Sequence, residues 1–241
     1  MKNILNSVFE TQHQSAPFEQ IQAAKFIPAL ELEINKTLEE ITHICSNQET
    51  PTFGNTLESL EQSGEQLGII SGILFNLNSA ETSNELQGVT QKAAPLLTKF
   101  QNDVRLNKVL FDRIKYIFDI KETLGLDPEQ LTLIEKEYKG FVRNGALLSP
   151  EDKDKLRLID TELAQLSLSF GEHVLADSQA FELHLTDKKQ LDGLPETSIA
   201  QAEALAKEKN KDGWIFTLDY PSYVPFVTYA DDRELRKKMS L

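Results

Sequence analysis

Cysteine is almost missing from this chain: Cys45 is the only one in 241 residues. A single thiol excludes an internal disulfide and any thiolate cluster for a metal, so Cys45 reads as a buried thiol, not a reactive one. Long apolar runs are missing too. No stretch approaches the roughly 18 apolar residues of a membrane span. The N-terminus, "MKNILNSVFETQHQSAPFEQ", has one Lys but no apolar run of signal-peptide length. The chain therefore reads as soluble, cytoplasmic and without a secretory signal. Positive charge is scarce, with 25 basic against 38 acidic residues and a formal net charge of -13. Such a surface repels phosphate backbones and anionic lipid, which argues against nucleic acid and membrane as partners. Histidine is sparse and badly placed for zinc: no two of His13, His43, His173 and His184 stand at the i, i+4 spacing that puts two imidazoles on one helical face. H-E-x-x-H, G-x-G-x-x-G, a Walker loop and G-x-S-x-G are all absent.

What is present is helix. With 40% hydrophobic and 26% charged residues, the composition suits a globular protein with one large core or two smaller ones. From Phe26 to Cys45, the residues Phe26, Leu30, Ile34, Leu38, Ile41 and Cys45 recur at steps of three and four, predicting one inward stripe. Pro28 falls early enough to be tolerated in the first turn. A second helix is expected from Asn55, a residue suited to an N-cap, through Leu57, Leu60, Leu67, Ile70, Leu74 and Leu77. Its three internal glycines predict close packing against a neighbour. "TSNELQGVTQKAAPLLTKF" and "NKVLFDRIKYIFDIKETLG" give two further helices, the first interrupted or kinked at Pro95.

The strongest helical signal opens with Ser149 as N-cap, Pro150 at the first position, and Glu151 and Asp152 in the first turn. Leu156, Ile159, Leu163, Leu166, Phe170 and Val174 follow at steps of three and four, and predict a packing seam able to anchor a bundle. After Asp177 the period becomes two. "AFELHL" and "GWIFTLDY" read as strands that pair in one small sheet, with the short helix "PETSIAQAEALAKEKN" between them. The expected fold class is mainly α, a multi-helix bundle with a small two-stranded β element near the C-terminal end. Within one domain, residues 1–17 read as flexible, 18–177 as helical, 178–220 as strand, helix, strand, and 221–241 as the truncated start of a further helical region.

Candidate chemistry is thin. Glu172 and His173 are adjacent on a helix and point ~100° apart, as His43 and Cys45 also face apart. His184 alternates with apolar neighbours on a strand and reads as an exposed edge residue. Tyr220, Tyr223 and Tyr229, around Pro221 and Pro225, are expected to pack a loop onto the core, with a wet aromatic surface as the alternative. Spacing alone therefore assigns no catalytic and no metal residues, and leaves substrate-binding residues unknown.

Several stretches in order carry a resemblance: "PFEQIQAAKFIPALELEINKTLEEI", "PTFGNTLESLEQSGEQL" with "FNLNSAET", "FVRNGALLSPEDKDKLRLIDTELAQLSLSFGEHVLADS", "LDGLPE" and "PSYVPFVTYADDRELRKKM". Together, from about Phe18 to Met239, they resemble the thimet oligopeptidase family of zinc metallopeptidases. The nearest branch is peptidyl-dipeptidase (dipeptidyl carboxypeptidase), with oligopeptidase A as its relative. The resemblance implies an ellipsoid of helices split by a deep channel, with one wall from the N-terminal helices and the zinc site in the C-terminal half. It also implies removal of C-terminal dipeptides from short peptides. Zinc would polarise the scissile carbonyl and activate water, with the Glu of H-E-x-x-H as general base. No position here matches that motif, so no cofactor is expected in this chain, and zinc is implied for the full-length enzyme only. The implied partners are the C-terminal catalytic half of the same polypeptide and short peptide substrates.

The last stretch, "YADDRELRKKMSL", reads as a helix that begins at Asp231 and Asp232 and stops within about three turns. It is expected to be frayed for want of a packing partner, on a fragment that exposes an apolar patch and self-associates. The alternative is a complete, non-catalytic helical binding or scaffold protein.

Overall fold

The structure, a computed structural model, describes residues 3–241. The chain divides into two compact units, one ending at Leu166 and the other spanning Ser167–Leu241.

The first unit is helical throughout. Its elements are α1 (Phe26–Ser46), a π-helical turn (Phe53–Glu58) leading into α2 (Ser59–Gln62), α3 (Glu65–Ala80), α4 (Asn84–Arg105), α5 (Lys108–Ile120), α6 (Pro128–Arg143) and the first part of α7 (Pro150–Ala180). Two apolar clusters form its core. Leu5, Phe26, Leu30, Leu67, Ile70, Leu74 and Ala93 fill one. Ile41, Ile44, Leu57, Leu110, Phe111, Ile114, Ile117, Ile134 and Phe141 fill the other. Helix α1 serves both, with Phe26 and Leu30 in the first and Ile41 and Ile44 in the second.

Several expectations change here. The segment before Phe18, read as flexible, instead buries Leu5 completely and Phe9 nearly so; Asn6 Nδ2 donates to Ala29 O (3.1 Å) and to Glu33 (2.8 Å) and so ties it to α1. The buried face of α1 is also rotated from the expected stripe. It holds Phe26, Ala29, Leu30, Glu33, Thr37, Ile41 and Ile44, while Ile34, Leu38 and Cys45 are only half-buried. Glu33 tolerates burial because Asn6 and Lys36 (2.7 Å) both donate to its carboxylate. Asn55 is not an N-cap but the reciprocal partner of one. Thr52 Oγ1 accepts from Asn55 N–H (3.1 Å) and Asn55 Oδ1 accepts from Thr52 N–H (2.8 Å). The expected long helix then breaks at Gly64, whose φ of 72° is left-handed and whose absent Cβ would lie 2.9 Å from Thr37 Cγ2. Gly68 and Gly72 meet nothing within 4 Å, so close packing explains only the first of the three glycines.

Helix α4 runs through Pro95 without interruption. The π-helical turn is pinned by the buried Arg113 of α5. Its guanidinium donates to Thr56 Oγ1 (3.2 Å), Asn47 O (2.8 Å) and Asn55 Oδ1 (3.0 Å).

The second unit contains the end of α7, β1 (Leu183–Leu185), α8 (Glu196–Glu208), β2 (Trp214–Phe216), α9 (Tyr220–Tyr229) and α10 (Arg233–Ser240). The strands pair as expected and run antiparallel, with Leu183 opposite Phe216, His184 opposite Ile215 and Leu185 opposite Trp214. Gly213 brings the chain into β2 at a φ of 94°, so close to Leu185 O that a Cβ there would sit 2.2 Å away. Behind the sheet lies a core of Leu185, Leu191, Leu194, Ala202, Phe216, Phe226, Leu235 and Met239.

Two expectations fail in this unit. Residues Tyr220 to Tyr229 form a helix, not a loop: Asp219 and Pro221 give it a start, and Phe226 meets Phe216 edge-on at 4.6 Å. Tyr220 and Tyr229 then face solvent, and only Tyr223 packs against the core. Helix α10 has a packing partner. Asp232 Oδ1 caps the N–H groups of Glu234 (2.8 Å) and Leu235 (3.2 Å), and Leu235 and Met239 are buried in the unit's core.

Candidate functional site

The titratable residues weighed from the sequence do not come together. His43 and His173 are exposed. Cys45 is half-buried beside the second core cluster. Burial pushes its thiol above the usual range, only partly offset by the positive charge of Arg113 and a hydrogen bond with Asn107. His184 is exposed on β1 and its Nε2 lies 2.6 Å from Asp212 O. Among the described residues, no group of three or more His, Cys, Asp or Glu side chains is placed to hold a metal. Among the described residues no helix is long and apolar enough to cross a membrane.

The first unit does contain two clefts that share Gln101 and Arg105. A cavity of about 380 Å³ lies among α1, α3, α4 and α6, with Ile41, Leu60, Leu67, Leu97, Phe100 and Val104 as its apolar lining. A second, of about 490 Å³, lies between α4 and α7 and is lined by Thr98, Gln101, Asn102, Asn144, Asp160 and Leu163 among others. Arg105, in the last turn of α4, borders both. Its Nη1 donates to Glu137 Oε2 at 2.7 Å, and its guanidinium lies 4.9 Å from the centre of the Phe141 ring. The ion pair largely cancels its own charge. With Glu61 on one wall and Asp160 on the other, both clefts favour neutral or cationic groups over anions. Sequence reading missed this pair because it did not find α6 at all. The available signal was Asp127-Pro128-x-Gln130, which the structure shows to be a capping box with Pro at the helix start.

The surface of α7 is the other unusual feature. Ser149 Oγ accepts from Asp152 N–H (3.2 Å), so its start is as expected. Its seam is not. No residue of this 31-residue helix is fully buried. In the first unit Lys153, Leu156, Arg157, Asp160, Thr161 and Ala164 are its partly covered positions, while Leu158, Ile159, Leu163 and Leu166 are 74%, 53%, 55% and 57% exposed. The part of α7 in the second unit likewise exposes Phe170 and Val174. The inward side is thus mainly small or polar, with Leu156 as its one large apolar member in the first unit. Arg157 pairs with Asp103 (2.7 Å) and Lys153 donates to Leu106 O (3.0 Å), holding the helix against the end of α4. The apolar stripe points to solvent.

Comparison with known proteins shows the family to which this chain belongs. Residues 25–153 match the family described as Neurolysin/Thimet oligopeptidase, N-terminal domain. The chain belongs to that family. It is similar to the dipeptidyl carboxypeptidase of Escherichia coli, with 35% identity over 92% of this chain and 33% of the relative. It is also similar to the dipeptidyl carboxypeptidase of Salmonella typhimurium, at 32% over 94% of the chain and 34% of the relative. Oligopeptidase A of Escherichia coli matches at 28% over 95% of the chain and 34% of the relative. This thimet oligopeptidase N-terminal domain therefore spans about a third of the length of the curated relatives it matches. The family match ends at residue 153, within the first turn of α7, whereas the pairwise similarities cover more than nine-tenths of the chain.

Proposed function

We propose that the chain is the N-terminal, channel-wall part of a zinc-dependent peptidyl-dipeptidase, which removes dipeptides from the free C-terminus of short peptides in the cytoplasm. The observation that carries this reading is the similarity to dipeptidyl carboxypeptidases along nearly the whole chain. The fold supports it, since a rigid helical wall is the part such an enzyme needs in order to admit thin, unfolded chains and exclude folded ones.

The residues of this chain do not fit a zinc site. A catalytic zinc takes three protein ligands and a water, and among the described residues no three such donors converge. In this reading the metal and its general base belong to the polypeptide beyond the third that this chain spans. No step of peptide hydrolysis is assigned to a residue here. What these helices supply is confinement: they keep bulk solvent and folded protein away from the bond being cut, and they limit the length of substrate that enters.

The test is an assay of the full-length protein on an N-blocked pentapeptide with a free or an amidated C-terminus. Release of the C-terminal dipeptide from the free acid alone, abolished by a chelator and restored by zinc, is the expected result. A full-length product that releases nothing and holds no zinc would replace this reading with that of a non-catalytic helical scaffold.

A further inference from the structure

The second cleft is built from polar side chains on a common helical face. Thr98, Gln101, Asn102 and Arg105 of α4 stand three and four residues apart and so lie on one side of that helix. Asp160 and Ala164 line the cleft from α7, and Asn144 lines it from the end of α6. Its volume of about 490 Å³ lies within the ~300–1,000 Å³ usual for small-molecule sites.

Asn102 has no role in the fold that accounts for it. It is 8% exposed and lies inside α4, where Asn is a poor helix former. Its side-chain amide has no hydrogen-bond partner among the described residues. The polar side-chain atom sealed from solvent without a partner there is Trp214 Nε1, so the amide of Asn102 opens into the cleft that it lines. A covered amide left unpaired costs stability, and a native fold that keeps one has a partner for it outside the chain.

The neighbouring groups say what that partner is. Among the described residues the carboxylate of Asp160 and the hydroxyl of Thr98 also lack a partner. The cations nearest to Asp160 are engaged elsewhere, Arg157 with Asp103 and Arg105 with Glu137. The last turn of α4, from Asn102 to Arg105, adds the negative end of a helix dipole. One un-neutralised carboxylate beside this helix end selects a single positive charge. Side-chain amides and a hydroxyl both donate and accept, as ligand hydroxyl groups do.

We infer that this cleft binds a small hydroxylated ammonium ion, of the size and chemistry of an amino sugar or amino alcohol. Asp160 takes the ammonium group, and Asn102 hydrogen-bonds the hydroxyl groups beside it. The site does not depend on the peptidase reading, since every residue in it belongs to the first unit.

The experiment titrates the 241-residue chain with glucosamine, glucose and glucuronate, three rings of similar shape that differ in charge. It is run at about pH 6, where such an amine is protonated, and followed by NMR of the side-chain amides. Saturable shifts at Asn102 are expected with glucosamine, at an affinity at least about tenfold above that for glucose, and none with glucuronate. Asp160→Asn should bring glucosamine down to the level of glucose without changing the melting temperature. Asn102→Leu, which replaces the unpaired amide with an apolar group of similar size, should abolish binding and leave the melting temperature equal or higher. Shifts that fail to saturate, or equal affinity for the three rings, would overturn the inference. So would an Asn102→Leu chain that melts lower and still binds glucosamine, because the amide would then serve the fold and not the ligand.

Discussion

Arg105 and Glu137 meet at 2.7 Å, joining the last turn of α4 to the middle of α6 across the cavity wall. The glutamate is the more covered partner, with 17% of its side chain exposed against 36% for the arginine. Replacing Glu137 by Gln keeps the shape and removes the charge that balances Arg105. Partial exposure limits the cost, so we expect a loss of about 1 kcal/mol in urea unfolding. The loss should be smaller in 1 M salt than in 0.05 M.

Two glycines predict opposite outcomes. A Cβ on Gly193 would lie 2.2 Å from Tyr229 O, at a φ of 86°. Gly193→Ala is therefore expected to destabilise the second unit by about 3 kcal/mol or more, since the obstacle is backbone and cannot rotate away. Gly72, inside α3, has nothing within 4 Å of the added methyl group. Gly72→Ala is expected to stabilise the chain by about 0.5–1 kcal/mol, read from the same denaturation curves.

Glu182 sits between Lys209 and Lys211, and hydrogen bonds from both hold its carboxyl down at about 2, against an ordinary value of 4.5. A carboxyl depressed in the folded state contributes stability above its unfolded value and loses it as pH falls toward the folded one. The expected loss lies between pH 4.5 and about 2. Glu182→Gln should flatten acid unfolding across that window, because it removes the contribution at neutral pH and leaves stability below about pH 2 almost unchanged. A profile identical to that of the parent chain would count against the pairing.

Exposure on α7 separates surface from core. Phe170→Ser is expected to change the stability of the isolated chain by less than about 0.5 kcal/mol, as at other surface sites. Phe226→Ala, which removes a fully buried ring, should cost about 3–5 kcal/mol. Thermal melts of the two variants side by side would show the contrast.

The comparison of α7 with α6 shows how far the sequence could be read. The period of Ile159, Leu163, Leu166 and Phe170 identified a helix and the residues that share its face. Period alone does not say whether that face meets its own core or something outside it, and here it turns outward. Helix α6 was missed for another reason. Its buried positions are only Ile134 and Phe141, seven apart, and the charged residues between them weaken the apolar period. The pairing of the two strands was legible, because "AFELHL" alternates and "GWIFTLDY" is rich in β-formers between turn residues, but their direction and register were not. The Arg105–Glu137 pair was not, since it joins residues 32 apart through a helix that had not been found. The packing of α10 was invisible for the same kind of reason: Leu235 and Met239 are two apolar residues in a charged octet, and only the core of the second unit, with α9 beside them, buries them.

Helix α1 carries one further consequence. Leu30 and Ile41, eleven residues apart, each anchor a different core cluster, and eleven residues are close to three whole helical turns. Deleting one residue between them would swing everything downstream through ~100° and carry Ile41 and Ile44 away from Leu110 and Phe141 while Phe26 and Leu30 stayed in place. The segment between Leu30 and Ile41 is therefore closed to small insertions and deletions even though Glu31, Asn35, Lys36 and Glu39 along it are exposed. Drift at those four exposed positions is free in chemistry, while the length of the segment is fixed.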